Sequence, residues 1–130
     1  MDWSEIMLKE QMSFSGNLGM KFNRIDTDFV ELELEIEEKH LNYVGIVHGG
    51  VLSSLMDQAM GTLVGAIKGR LGVTTHLNVN FLHAAKAGAI KTYAYPVHET
   101  FRTMTCRAEV RDSNDELCCV ATGTFRLPRE

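Results

Sequence analysis

An α+β fold is expected here: one long hydrophobic helix wrapped by a curved antiparallel sheet of five to six strands. Three observations lead to it. Val51 to Ile67 is almost entirely apolar or small, and Asp57 is its only charge before Lys68. In Phe29 to Glu38, Val30, Leu32, Leu34 and Ile36 alternate with Glu31, Glu33, Glu35 and Glu37, the period of a strand with one buried and one wet face. From Val73 onward the chain breaks into strand-like runs joined by short turns, which favours an antiparallel meander.

Taken in order, Ser4 to Met12 forms a short amphipathic helix with Ser4 as a plausible cap. Asn17 to Asp26 is a weakly patterned first strand, and Phe29 to Glu38 is a clear second one. An Asn42–Gly50 loop leads into the long helix. Lys68-Gly69-Arg70-Leu71-Gly72 ends that helix, with basic residues near its C-terminus and glycine after it. Four strands follow: Val73 to His83, Ala89 to His98, Phe101 to Arg111 and Leu117 to Leu127. Asp112-Ser113-Asn114-Asp115 makes the last tight turn.

The composition limits the function classes. A chain of 130 residues with 45% hydrophobic content suits one domain over residues 1–130, with 1–16 an N-terminal helix and lead-in. A net charge of −4 argues against general nucleic-acid binding, which usually needs a basic face. A polyanionic ligand would have to meet a local cluster of Lys and Arg. Cys106, Cys118 and Cys119 show neither metal-ligand spacing nor a disulfide framework, so they read as thiols in a reducing, cytoplasmic setting. The N-terminus lacks the marks of a signal peptide. The apolar run is short for a membrane span and carries a carboxylate at its middle, so no membrane role is expected. His40, His76, His83 and His98 form no H-x3-H or Cys/His pattern, so no metal site is expected. No G-x-S-x-G, P-loop or dinucleotide fingerprint occurs.

The helix presents two stripes. Leu52, Leu55, Ala59, Leu63 and Ala66 make an apolar one. Ser53, Asp57, Gly61 and Gly65 make a small or polar one that permits close approach of another element. A helix aspartate ordinarily reaches water or a neighbouring chain. Among apolar and small neighbours, an unpartnered carboxylate is expensive, so Asp57 implies a use or a dedicated partner. Paired glycines often make only a tight turn. Here His48-Gly49-Gly50 also opens a helix, where the first amides lack intrahelical acceptors and the dipole favours negative charge. An oxyanion of acyl transfer needs such donors.

Gly49 and Asp57 are eight residues apart, roughly 12 Å along one helix. One carbonyl cannot touch both. Either only one of them works, or Gly49 of one subunit is paired with Asp57 of another in a two-fold dimer with two composite sites.

With these residues in view, the chain resembles the hotdog-fold thioesterases, specifically the phenylacetate-pathway (PaaI-like) group. The resemblance is carried by Asn42-x5-His48-Gly49-Gly50, by Asp57, by Gly72 to Phe81 and by Ala121 to Leu127. It departs at Thr74-Thr75-His76, where relatives often place Asp one or two residues after Ser or Thr, and at Leu82 to Ala85, where many carry Arg or Tyr and a Pro. The resemblance implies hydrolysis of an acyl-CoA thioester with no cofactor beyond the CoA of the substrate. Asp57 is then nucleophile or general base. The Gly49 amide polarises the carbonyl, helped by Asn42. His48 shapes the loop, and Thr74 holds water near Asp57. Gly50, Phe81, Leu82, His83, Lys86, Arg102 and Thr103 form the expected substrate-binding set. The resemblance also implies a homodimer, often paired into tetramers. An acyl pocket between subunits would be lined by Leu55, Met56, Met60 and the partner's loop. The competing reading is a non-catalytic acyl-CoA-binding hotdog protein, a sensor or carrier, which would not need a carboxylate at the thioester. A hotdog hydratase is a third, but its Asp/His pair a few residues apart is not visible around Asp57.

Overall fold

The computed structural model describes residues 1–129. Helix α1 (Trp3–Gln11) is capped by Asp2, whose Oδ1 accepts from the Ser4 and Glu5 amides at 3.0 and 3.3 Å, so the cap lies two residues before the expected Ser4. A short helix α2 (Phe14–Leu18) follows, so the first strand begins later than expected. Strands β1 (Lys21–Ile25) and β2 (Val30–Glu35) pair antiparallel. In β2 the alternation holds: Val30, Leu32 and Leu34 are buried, while the glutamates between them face outward.

A 3₁₀ turn over Glu38–His40 leads to helix α3 (Gly49–Lys68). Strands β3 (Val73–Phe81), β4 (Ala89–Glu99), β5 (Thr103–Arg111) and β6 (Leu117–Arg126) complete one six-stranded sheet in the order β1-β2-β4-β5-β6-β3, paired antiparallel throughout. The meander therefore covers only β4 to β6. Strand β3 lies at the far edge beside β6, and β2 pairs with β4. The reason is the helix between them. Twenty residues of α3 reach about 30 Å. Four strand spacings are roughly 19 Å. The helix is long enough to carry the chain across the sheet before β3 begins.

The core lies between α3 and the concave face of this sheet. Leu55, Met56, Ala59, Met60 and Leu63 are fully buried against β-strand residues that include Leu32, Ile90, Met104, Cys119 and Phe125. Each large side chain removed from water here contributes about 2 kcal/mol. This is the hotdog arrangement, helix inside and sheet outside. All three cysteines are buried, and burial pushes the Cys106 and Cys119 thiols up to about 12. No helix among the described residues is long and apolar enough to cross a membrane.

One buried polar side chain ties the loop before α3 to the N-terminal segment. His40 is fully buried. Its Nδ1 accepts from the Glu37 amide at 2.9 Å, and its Nε2 lies 2.6 Å from the Leu18 carbonyl, to which it donates. Its backbone carbonyl accepts from the His48 amide at 2.9 Å. Replacing His40 by Leu keeps the bulk and strands the Leu18 carbonyl and Glu37 amide. The expected cost is about 2–4 kcal/mol, read as a lowered denaturant midpoint with unchanged slope.

Candidate active site

Asp57 sits two turns into α3, half-buried, on the flank that β3 and α1 border. The Thr74 hydroxyl donates to Asp57 Oδ1 at 2.7 Å. The carboxylate thus has the dedicated partner that its cost required, and one oxygen is fixed while Oδ2 is left for other work.

A backbone irregularity makes this contact possible. On β6, Phe125, Gly123, Ala121 and Cys119 alternate as buried residues. Opposite them stand Thr74, Leu77, Val79 and Phe81. Thr74 and Leu77 are three apart, so an unbroken strand would put them on opposite faces. The register skips Thr75 between Thr74 and His76, and this bulge returns Thr74 to the helix side. The Thr75 hydroxyl donates to the Thr124 carbonyl at 3.1 Å and holds the extra residue in place.

The N-terminus of α3 is built around His48. As N-cap, its Nδ1 accepts from the Gly50 amide at 2.7 Å, which puts the neutral ring's proton on Nε2. The Val51 and Leu52 amides donate to the His48 carbonyl at 2.9 and 3.3 Å. The Gly49 N–H alone keeps no acceptor among the described residues, at the positive end of the helix. The Phe81 ring packs beside this residue: a Cβ on Gly49 would lie 3.2 Å from Phe81 Cζ. The Gly50 amide, by contrast, is occupied by His48.

Asn42 shapes the loop that delivers His48. Its Oδ1 accepts from the Val44 and Ile46 amides at 3.0 and 3.4 Å, leaving the carboxamide NH₂ as the group that could donate to a ligand. Gly45 turns the loop at φ 88°, a left-handed conformation suited to glycine.

The expected substrate-binding residues fall into two groups. Phe81 ends β3 beside Gly49, and Leu82, His83 and Lys86 follow it, where the Ala85 carbonyl accepts from the Val47 amide at 2.8 Å. Arg102 and Thr103 lie at the opposite end of the same ladder, where Thr103 pairs with Arg126 and Val73 also pairs with Arg126. Arg102 donates to the Leu127 carbonyl at 3.4 Å. One chain therefore cannot bring both groups to one ligand. Leu55, Met56 and Met60 correct the expectation for the acyl pocket. They are 0% exposed and packed against the chain's own sheet, so they line no intersubunit surface.

His83 also has neighbours that its sequence context conceals. Its Nε2 lies 3.0 Å from Glu116 Oε2 and 3.8 Å from Asp112 Oδ2, a set of three potential ligand atoms within 4.8 Å of one another. Asp112 Oδ1 accepts from the Asn114 and Glu116 amides, each at 2.9 Å, so this carboxylate serves first to close the β5–β6 turn.

The same residues lie within a wider similarity. Residues 44–119 match the family model described as the thioesterase superfamily. A Saccharolobus solfataricus protein whose name proposes an esterase is 31% identical over 95% of this chain and 83% of its own. The Escherichia coli 1,4-dihydroxy-2-naphthoyl-CoA hydrolase is 25% identical over 86% of this chain and 84% of its own. A hypothetical thioesterase from Streptococcus pneumoniae, solved with coenzyme A, superposes with a TM-score of 0.81 at 26% identity, covering 86% of this chain and 90% of that one.

The cap geometry makes Gly50 sensitive. A Cβ there would lie 2.9 Å from His48 Nδ1. Gly50→Ala is expected to displace the ring and cost about 1 kcal/mol of stability, measured by denaturant unfolding.

Proposed function

We propose that this chain, which belongs to the thioesterase superfamily, is an acyl-CoA thioesterase of the phenylacetate-pathway (PaaI-like) group, working as a homodimer with composite sites. The observation that carries the reading is the half-buried Asp57 carboxylate, held through one oxygen by Thr74 inside a cleft. A carrier of acyl-CoA has no use for a positioned carboxylate. A hydrolase does.

Oδ2 of Asp57 is the working oxygen. As general base it takes a proton from water while the water oxygen bonds to the acyl carbon. As nucleophile it bonds to that carbon itself, and water then cleaves the resulting anhydride. In both routes the carbonyl oxygen gathers negative charge, the carbon–sulfur bond breaks, and CoA leaves as thiol after taking up a proton. The Gly49 N–H, at the helix N-terminus beside the Phe81 ring, is the donor for that charge, with the Asn42 carboxamide as its helper. His48 holds the loop and reserves the Gly49 amide by occupying the Gly50 one.

The dimer answers the separation along α3. Strand β3 is an edge strand whose Val73, Leu77 and Phe81 side chains are exposed in the single chain. Open edges of this kind are templates for pairing. Antiparallel pairing of two β3 strands sets the Thr74 end of one protomer beside the Phe81 end of its partner. Asp57 then meets a Gly49 amide from the twin chain, and Arg102 and Thr103 approach the opposite Phe81–Lys86 segment. Basic residues at that junction, Lys86 and Arg102, suit the phosphates of CoA.

Asp57→Asn keeps the shape of the carboxylate and removes its basicity. Its turnover of acyl-CoA is expected to fall by about 10²–10⁴-fold, with acyl-CoA affinity changed only a few-fold. Thr74→Val is expected to lower kcat by about 10- to 100-fold and to cost about 1–2 kcal/mol of stability, since the half-buried carboxylate loses its donor. Steady-state kinetics and calorimetric titration check both. Undiminished turnover in Asp57→Asn would favour the carrier reading.

A further inference from the structure

We propose that helix α1 is the wall that sets acyl length: the acyl group lies in a cleft between Trp3, Ile6 and Met7 of α1 and Gln58, Gly61 and Thr62 of α3. This rests on the thioesterase reading above.

Asp57 and Thr74 line the same cleft of about 220 Å³, so a thioester carbonyl at the carboxylate has its acyl group directed into it. Leu71 and Phe125 add apolar surface at its base. The opposite side of α3 offers no alternative, because Leu55, Met56 and Met60 there are fully enclosed by the sheet. Size then limits the ligand. An apolar cavity of about 150 Å³ accepts benzene. In proportion, this cleft admits roughly nine carbon atoms, a single ring with a short spacer or a medium chain. A longer unbranched chain must either displace α1 or leave the cleft through its open side.

The helix is placed as a wall rather than as core. None of its residues is buried. It touches α3 through Trp3: a Cβ on Gly65 would lie 3.3 Å from Trp3 Cη2. The small-residue stripe of α3 thus receives α1 of its own chain at the Gly65 end, while Asp57 and Gly61 open onto the cleft. Its far end is tied to α2 by the Ser15 hydroxyl, which hydrogen-bonds to the Glu10 carboxylate, and Glu10 also lines the cleft. An element fastened at both ends and filled by no core residue can define a boundary that one substitution resizes.

Trp3 is the only tryptophan in the chain, which makes the proposal directly observable. The first measurement is kcat/KM across acyl-CoAs from acetyl to palmitoyl, with phenylacetyl-CoA, for the native chain and for Ile6→Ala/Met7→Ala. The double substitution is expected to raise the palmitoyl-to-butyryl ratio by at least about ten-fold. Met7→Trp, which narrows the cleft, is expected to lower the octanoyl-to-butyryl ratio by a similar factor. Ratios that stay constant in both variants, including a parallel loss at every length, overturn the proposal. The second measurement is Trp3 emission in Asp57→Asn, titrated with phenylacetyl-CoA and with CoA alone. A spectral shift with the former and none with the latter supports the proposal, and equal responses overturn it. A Trp3 response in a protein that hydrolyses no acyl-CoA would sink the hydrolase reading and keep the pocket. Hydrolysis with no acyl-dependent Trp3 response would keep the enzyme and sink the pocket.

Discussion

The hydrogen bond from Thr74 to Asp57 is the contact on which the site depends, and it exists because β3 carries one extra residue. Without the bulge at Thr75, the hydroxyl would point away from the helix and Asp57 would stand half-buried without a donor. A strand edge and a helix flank are rigid supports, so one inserted residue fixes the carboxylate to within a single hydrogen-bond length. The same bulge leaves Leu77, Val79 and Phe81 in phase with the helix, and Phe81 ends over Gly49. The middle and the N-terminus of α3 are therefore both addressed by one strand.

Geometry along α3 also separates the two groups that an acyl-transfer site would need together. The acid and the open amide belong to one rigid helix and lie roughly 12 Å apart. No side-chain rotation closes that gap. The predicted ligand contacts divide in the same way, with Phe81 to Lys86 at one end of the β3–β6 ladder and Arg102 and Thr103 at the other. A two-fold axis at the β3 edge would resolve both separations at once, with the exposed Val73, Leu77 and Phe81 supplying the apolar contact.

Much of this was legible before any coordinates. The Glu31–Glu37 alternation marked β2, and the apolar run with its small-residue stripe marked α3, because period and polarity are local properties. The resemblance brought Asp57, Gly49 and Thr74 together as a set. What stayed hidden depends on pairing. The bulge at Thr75 has no local signature, so the face on which Thr74 stands could not be read from alternation. The placement of β3 beside β6 rather than β4 follows from the reach of α3 over the sheet. Leu55, Met56 and Met60 fit a pocket by hydrophobicity alone, which cannot tell which side of an apolar helix is covered. The cleft between α1 and α3 went unseen because it joins segments about fifty positions apart, as where Trp3 meets Gly65.

The most direct test is subunit complementation. Asp57→Asn and Gly49→Val chains, each inactive alone, are mixed through reversible unfolding and assayed for acyl-CoA hydrolysis. If the acid and the amide come from different protomers, each heterodimer holds one site with both groups intact, and about a quarter of the native activity should return after random reassortment. If mixing restores nothing although heterodimers form, the two groups do not meet across an interface and the account fails.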